Sequence, residues 1–232
     1  MTLAVTGSGS SGNNYILTAD NGEVLLLDLG LPIAEIKKAL NFNLSPVVGA
    51  VVSHIHNDHH KAVANVEKMG IPIFKPFESE MERRVVTYGG YVIKSFPIPH
   101  DNTPNRGFLI EHSGAKILYL TDLEYCPYTF ARQQVRHILV ECNYQSKYVE
   151  RESVNYSHKV RGHASLETCK GIVKANLTDS LKTVLLIHLG DTTANPKECV
   201  DEVKAIVPWY VTVDYARAGL ILDLDGKDKC PF

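Results

Sequence analysis

Ser53-His54-Ile55-His56-Asn57-Asp58-His59-His60 follows the apolar run 47–52 and packs metal-binding side chains into one short stretch. In extended chain the side chains alternate faces, so His54 and His56 emerge on one side and can grip one ion. Asn57 and Asp58 turn the chain toward a helix read in residues 61–69. That turn lets Asp58 and His59 face a second ion beside the first. The reading is therefore a strand-turn-helix junction serving two metals.

Three more polar residues end apolar runs, where a side chain leaves a core and enters a cleft. They are His100 after Phe96-Pro97-Ile98-Pro99, Asp122 after Leu118-Tyr119-Leu120-Thr121, and His188 after Val184-Leu185-Leu186-Ile187. With the opening motif they give a His-rich, carboxylate-bearing set suited to two divalent ions of the zinc or manganese class. The first ion is assigned His54, His56 and His100, and the second Asp58, His59 and His188. Asp122 bridges, because a carboxylate has two oxygens to share.

Around these residues, short apolar runs predict strands at 3–5, 15–18, 24–27, 47–52, 71–74, 91–96, 108–111, 117–120, 138–140, 184–187 and 219–222. Helical periodicity marks 33–40, 61–69, 166–175 and 196–206. Strands outnumber helices, and several runs are apolar on both faces, as when two sheets pack together under outer helices. The expected fold is α/β, a four-layer αβ/βα sandwich. A chain of 232 residues with no linker or repeat is read as one domain, 1–232.

The pattern His-x-His-x-Asp-His, followed in order by His100, Asp122 and His188, resembles the metallo-β-lactamase superfamily. That family's fold is the αβ/βα sandwich. Leu25-Leu26-Leu27-Asp28-Leu29-Gly30 is similar to its apolar strand ending in Asp ahead of the metal motif, which implies that Asp28 holds the histidine loop. Arg161-Gly162-His163-Ala164-Ser165 is similar to the His-x-Ser/Thr element of RNase Z-like phosphodiesterases, whose histidine sits on the scissile phosphate. Leu139-Val140-Glu141 is similar to their strand ending in the Glu that orients that histidine. The stretches 7–13 and 100–108 look more specifically like the WalJ/YycJ branch of DNA exonucleases. The RNase Z arm for tRNA is not visible.

The resemblance implies a phosphodiesterase with two divalent ions, zinc or manganese, acting on nucleic acid, DNA foremost. Asp58, His163 and Glu141 are the catalytic candidates, and Lys159, Arg161 and Ser165 the substrate-binding ones. Small-molecule hydrolysis on the same scaffold, of a cyclic nucleotide, thioester or lactone, is one rival; a metal-binding module without catalysis is another.

A net charge of −2 excludes a global basic footprint, so nucleic acid would be held locally. Five widely spaced cysteines without a CxxC pair read as reduced thiols, and no apolar run approaches a membrane span. A cytoplasmic protein is expected, with no membrane partner and an unspecified oligomeric state. His60 is read as a helix-start residue, His112 and His137 as strand-edge residues, and His158 as a solvated loop residue. Trp209 and Phe130 are read as core, and residues 7–12 as a tight turn near the site.

Overall fold

The computed structural model describes residues 1–79, 84–149 and 161–225. Among them are two sheets. The first holds β1 (Thr2–Gly7), β2 (Asn14–Thr18), β3 (Val24–Leu27), β4 (Val47–Val51), β5 (Ile73–Phe74) and β13 (Ile221–Asp223), in the order β13-β1-β2-β3-β4-β5. The second holds β6 (Arg84–Tyr88), β7 (Tyr91–Ile98), β8 (Asn105–His112), β9 (Ala115–Leu120), β10 (His137–Glu141), β11 (Thr183–Ile187) and β12 (Thr212–Tyr215). Their order is β12-β11-β10-β9-β8-β7-β6. In each sheet an antiparallel meander passes into a parallel half: β3-β4-β5 in one and β9-β10-β11-β12 in the other.

Leu17, Leu25, Leu27 and Val51 from the first sheet meet Ile93, Phe108, Ile117 and Leu185 from the second in an inter-sheet core. The opposite faces are covered by helices. α1 (Ile33–Ala39) and α3 (Val63–Lys68) pack Ile36, Val63 and Val66 on the first sheet; α4 (Leu166–Ala175) and α5 (Pro196–Lys204) pack Cys169, Val173, Cys199 and Val203 on the second. Buried residues on α4 recur at Leu166, Cys169, Ile172 and Val173, the spacing of one helix face. The expected αβ/βα sandwich is what these layers form.

Three features depart from the sequence reading. β6 and β12 were not anticipated. Trp209, read as core, is 95% exposed, while Phe130 is half-buried against the outer core. β4 ends at Val51, so His54 and His56 lie in the bend beyond the strand and not within its alternation; Asp58 and His59 fall on a short helix, α2 (Asn57–His60). Among the described residues no helix is long and apolar enough to cross a membrane.

Candidate active site

Every element feeding the site ends at the same rim. Asp28 follows β3, the histidine motif follows β4, His100 follows β7, Asp122 follows β9, Glu141 ends β10 and His188 follows β11. Parallel strands release their carboxyl ends toward one side, which is where α/β proteins place ligands. Asp28, Asp122 and His188 all carry positive φ, at 54°, 50° and 52°. The left-handed conformation turns the chain sharply out of each strand, at a cost of about 1–3 kcal/mol per non-glycine residue.

Asp28 organises the histidine loop. Its carboxylate accepts from the Ser53 amide at 2.7 Å and the Ser53 hydroxyl at 3.1 Å, and it stands 2.7 Å from His59 Nδ1 and in hydrogen-bond contact with the Tyr119 hydroxyl. Gly30 is needed beside it, because a Cβ there would stand 1.6 Å from the Asp58 carbonyl oxygen. The loop between β1 and β2 closes the other side: the Asn13 amide donates to the Asp58 carbonyl at 2.8 Å, and its side chain lies 3.0 Å from His59 Nε2.

Among the described residues, three groups have donor atoms within 4.8 Å of one another: the two expected ligand groups, His54, His56, His100 and Asp122 in one and Asp58, His59, Asp122 and His188 in the other, and a third of Asp122, Glu141, His163 and His188. Asp122 divides its oxygens between the two expected groups. Oδ1 is 3.3 Å from His59 Nε2 and 3.2 Å from His188 Nδ1, while Oδ2 is 3.8 Å from both His54 Nε2 and His100 Nε2. In the first group the nitrogens point at one another, His56 Nδ1 lying 2.9 Å from His54 Nε2 and 3.1 Å from His100 Nε2. In the second, buried His188 Nε2 has no hydrogen-bond partner among the described residues and faces Asp58 at 3.5 Å. Converging imidazole nitrogens and an unsatisfied buried nitrogen fit divalent cations of the zinc class.

The charges follow the same division. Burial opposes an imidazolium at His188, but Asp122, Asp58 and Glu141 outweigh it and push its pKa up to about 10. Burial opposes ionisation of Asp122 too, and His188 and His59 hold it well below the carboxylate range. His54 is pulled well below the imidazole range by burial and by His59, and His100 is lowered by burial.

His163 stands beside both expected ligand groups without belonging to either. Its Nδ1 is 2.7 Å from Glu141 Oε1 and 4.0 Å from Asp122 Oδ2. Burial works against its charge, and Glu141 more than compensates, so its pKa lies above the ordinary imidazole value. Glu141 is fully buried: Oε1 also meets His188 Nδ1 at 2.8 Å, and Oε2 accepts from the Leu123 and Ala164 amides, each at 2.9 Å. A cavity of about 470 Å³ opens over these groups, lined by His56, Asp58, Asp122, His163 and His188 together with Ser10, Asn143 and the loop of Gly190, Asp191 and Thr192.

The remaining expectations divide. Ser165, read as a substrate contact, caps α4 by accepting from the Thr168 amide at 3.0 Å, and does not line the cavity. Arg161 is exposed and its carbonyl accepts from the Asp101 amide at 3.0 Å; Lys159 and His158 lie outside the described residues. His60 ends α2, its ring 6.2 Å from Phe77 and outside both ligand groups. Sequence reasoning did not find Ser53, Thr103 or Asn143, which support ligating histidines from other elements. Asn13 was signalled only by the stretch 7–13 that contains it.

Residues 7–69 match the family model of the metallo-beta-lactamase superfamily. The metallo-beta-lactamase fold protein YhfI from Bacillus subtilis superposes with a TM-score of 0.74 over 95% of this chain and 98% of that one, at 18% identity. This chain is a metallo-β-lactamase-fold protein. The exodeoxyribonuclease YycJ of Bacillus anthracis is 24% identical over 216 residues, spanning 81% of each chain. Human tRNase Z, short form, superposes at a TM-score of 0.63 over 97% of this chain and 99% of that one, at 13% identity. The metallo-β-lactamase fold and its His/Asp clusters are those of a divalent-metal-dependent hydrolase.

Proposed function

We propose that the protein is a dinuclear metal-dependent phosphodiesterase acting on nucleic acid, foremost a DNA exonuclease. The observation that carries the reading is His163, held by Glu141 at 2.7 Å at the rim of a cavity that both ligand groups share. His54, His56 and His100 would hold one zinc or manganese ion, Asp58, His59 and His188 the other, and Asp122 both. When bound, the ions supply a nucleophile at neutral pH and positive charge opposite the phosphate.

The chain's own residues do the rest. Glu141 accepts the Nδ1 proton of His163, which fixes the tautomer and leaves Nε2 as the atom presented to substrate. Its carboxylate also favours the protonated ring, so His163 can donate a hydrogen bond to the phosphate and a proton to the departing sugar oxygen. Asp58 holds its place through contacts of 3.5 Å to both His59 and His188. The likeness to the exodeoxyribonuclease supports DNA as the polymer.

One observation favours a second reading, hydrolysis of a small phosphodiester: among the described residues, no Lys or Arg lines the cavity. The test is incubation of metal-loaded protein with end-labelled single- and double-stranded DNA and RNA beside bis(p-nitrophenyl) phosphate. Mononucleotide release from DNA ends is expected. Hydrolysis of the small diester with every polymer left intact would establish the second reading; no hydrolysis of any of them would leave a metal-binding module.

A further inference from the structure

The two ligand groups differ in what stands behind their imidazoles. In the group of Asp58, His59, Asp122 and His188, both rings are backed by carboxylates: His59 Nδ1 lies 2.7 Å from Asp28, and His188 Nδ1 lies 2.8 Å from Glu141. In the other group the backing atoms are neutral among the described residues. His54 Nδ1 meets the Ser53 hydroxyl at 3.0 Å, His100 Nδ1 meets the Gly162 carbonyl at 2.5 Å, and His56 Nε2 meets the Thr103 hydroxyl at 3.2 Å. Ser53 in turn contacts Asp28, so His54 feels that carboxylate only through a hydroxyl.

We infer that the two metal positions are unequal and fill in order, the Asp58–His59–Asp122–His188 position first, with Thr103 as the positioning residue that sets the affinity of the second. The inference rests on the two-ion reading of this site. A carboxylate behind an imidazole accepts its N–H, which fixes the proton on the near nitrogen and makes the far nitrogen a stronger donor to a metal. A hydroxyl fixes the orientation but adds no charge. The first-filled position also has two carboxylates among its ligands, Asp58 and Asp122, where the other has Asp122 alone. Attraction for a divalent cation scales with the charge facing it, and these groups are largely buried, where screening is weak.

Within the weaker position, His56 is the least enclosed imidazole. His54 and His100 are only 0% and 1% exposed, whereas His56 is half-buried in the loop beyond β4. Thr103 belongs to the turn between β7 and β8, and its amide donates to the His100 carbonyl at 2.9 Å. It therefore ties two ligands of that position together, one through its side chain and one through its backbone. Valine keeps the shape and the amide of Thr103 but loses the hydroxyl.

The experiment is calorimetric titration of the metal-free protein with Zn²⁺, with circular dichroism confirming that each variant is folded. Two binding steps are expected, separated by at least about tenfold in affinity. His56→Ala should abolish the weaker step and spare the tighter one. Thr103→Val should weaken the weaker step by roughly 10–100-fold and Thr103→Ser should restore it. Loss of the tighter step in His56→Ala, or an equal shift of both steps or of neither in Thr103→Val, overturns the order and the role of Thr103. A total of one ion in the wild-type protein instead overturns the two-ion reading itself.

Discussion

Removing the His163 imidazole separates proton donation from metal binding. The ring is 15% exposed at the cavity rim, and its Nδ1 is committed to Glu141, so His163→Ala leaves both expected ligand groups intact. Both ions should remain bound, as elemental analysis will report. A general acid contributes roughly 10²–10⁴-fold, so turnover on a DNA end, whose leaving group is a poor alkoxide, should fall by that factor. That is about 3–5 kcal/mol in the barrier. On bis(p-nitrophenyl) phosphate the loss should shrink to less than about tenfold, because nitrophenolate departs without a proton. Single-turnover rates on the two substrates at matched metal loading give the comparison. Equal losses on both would mean that His163 binds the phosphate without donating a proton, and loss of an ion would make it a ligand.

Asp122→Asn should weaken both metal steps and abolish most activity, since its two oxygens face opposite ligand groups; His60→Ala, outside both, should change metal content and rate little. Glu141→Gln should show a weaker form of the His163→Ala defect, with the same dependence on leaving group. Arg161→Ala should flatten the salt dependence of DNA binding if that exposed side chain meets a phosphate, and an unchanged slope of log affinity against log salt would remove it from the substrate path. His137 is fully buried, its ring nitrogens have no hydrogen-bond partner among the described residues, and burial with nearby Arg136 lowers its pKa to about 4. The folded state therefore keeps it neutral while the unfolded chain takes up a proton below about pH 6.5, so stability should fall between there and pH 4, by about 2 kcal/mol at pH 5. Urea unfolding of the metal-free protein at pH 7 and pH 5 should show that decrement, and His137→Leu should lack it.

Much of the fold was legible where one residue type repeats without interruption. The apolar run 24–27 and the helical face of 166–175 coincide with β3 and α4, because burial on both faces or on one stripe writes itself directly into sequence. β6 was missed because Arg84-Val85-Val86-Thr87-Tyr88 is an edge strand with no fully buried residue, and β12 because it is short and carries Asp214. The seven expected ligands converge, but for a reason partly different from strand alternation: a bend and a short helix after β4 orient His54, His56, Asp58 and His59. Thr103 and Asn143 were illegible because each acts on a histidine through a fold contact, 47 and 45 residues away, while Ser53, adjacent to His54, has no ligand side chain to single it out. Ser165 carries a helix cap that the His-Ala-Ser motif did not signal, since serine is a good N-cap.

Asp28, Asp122 and His188 occupy backbone conformations that glycine or asparagine would adopt with less strain. At these strand ends the preference of the main chain and the demand of the chemistry point to different residues. An optimiser guided by backbone geometry alone would rewrite them, and the resulting protein would lose its grip on metal and, at Asp28, the carboxylate that holds the histidine loop. Asp122→Asn is the sharpest instance, since asparagine suits the turn yet carries no charge to share. Resistance to unfolding is therefore a poor proxy for competence in this scaffold: variants selected for heat tolerance in the absence of metal should drift toward Asn and Gly at Asp122 and His188, and keep Asp28.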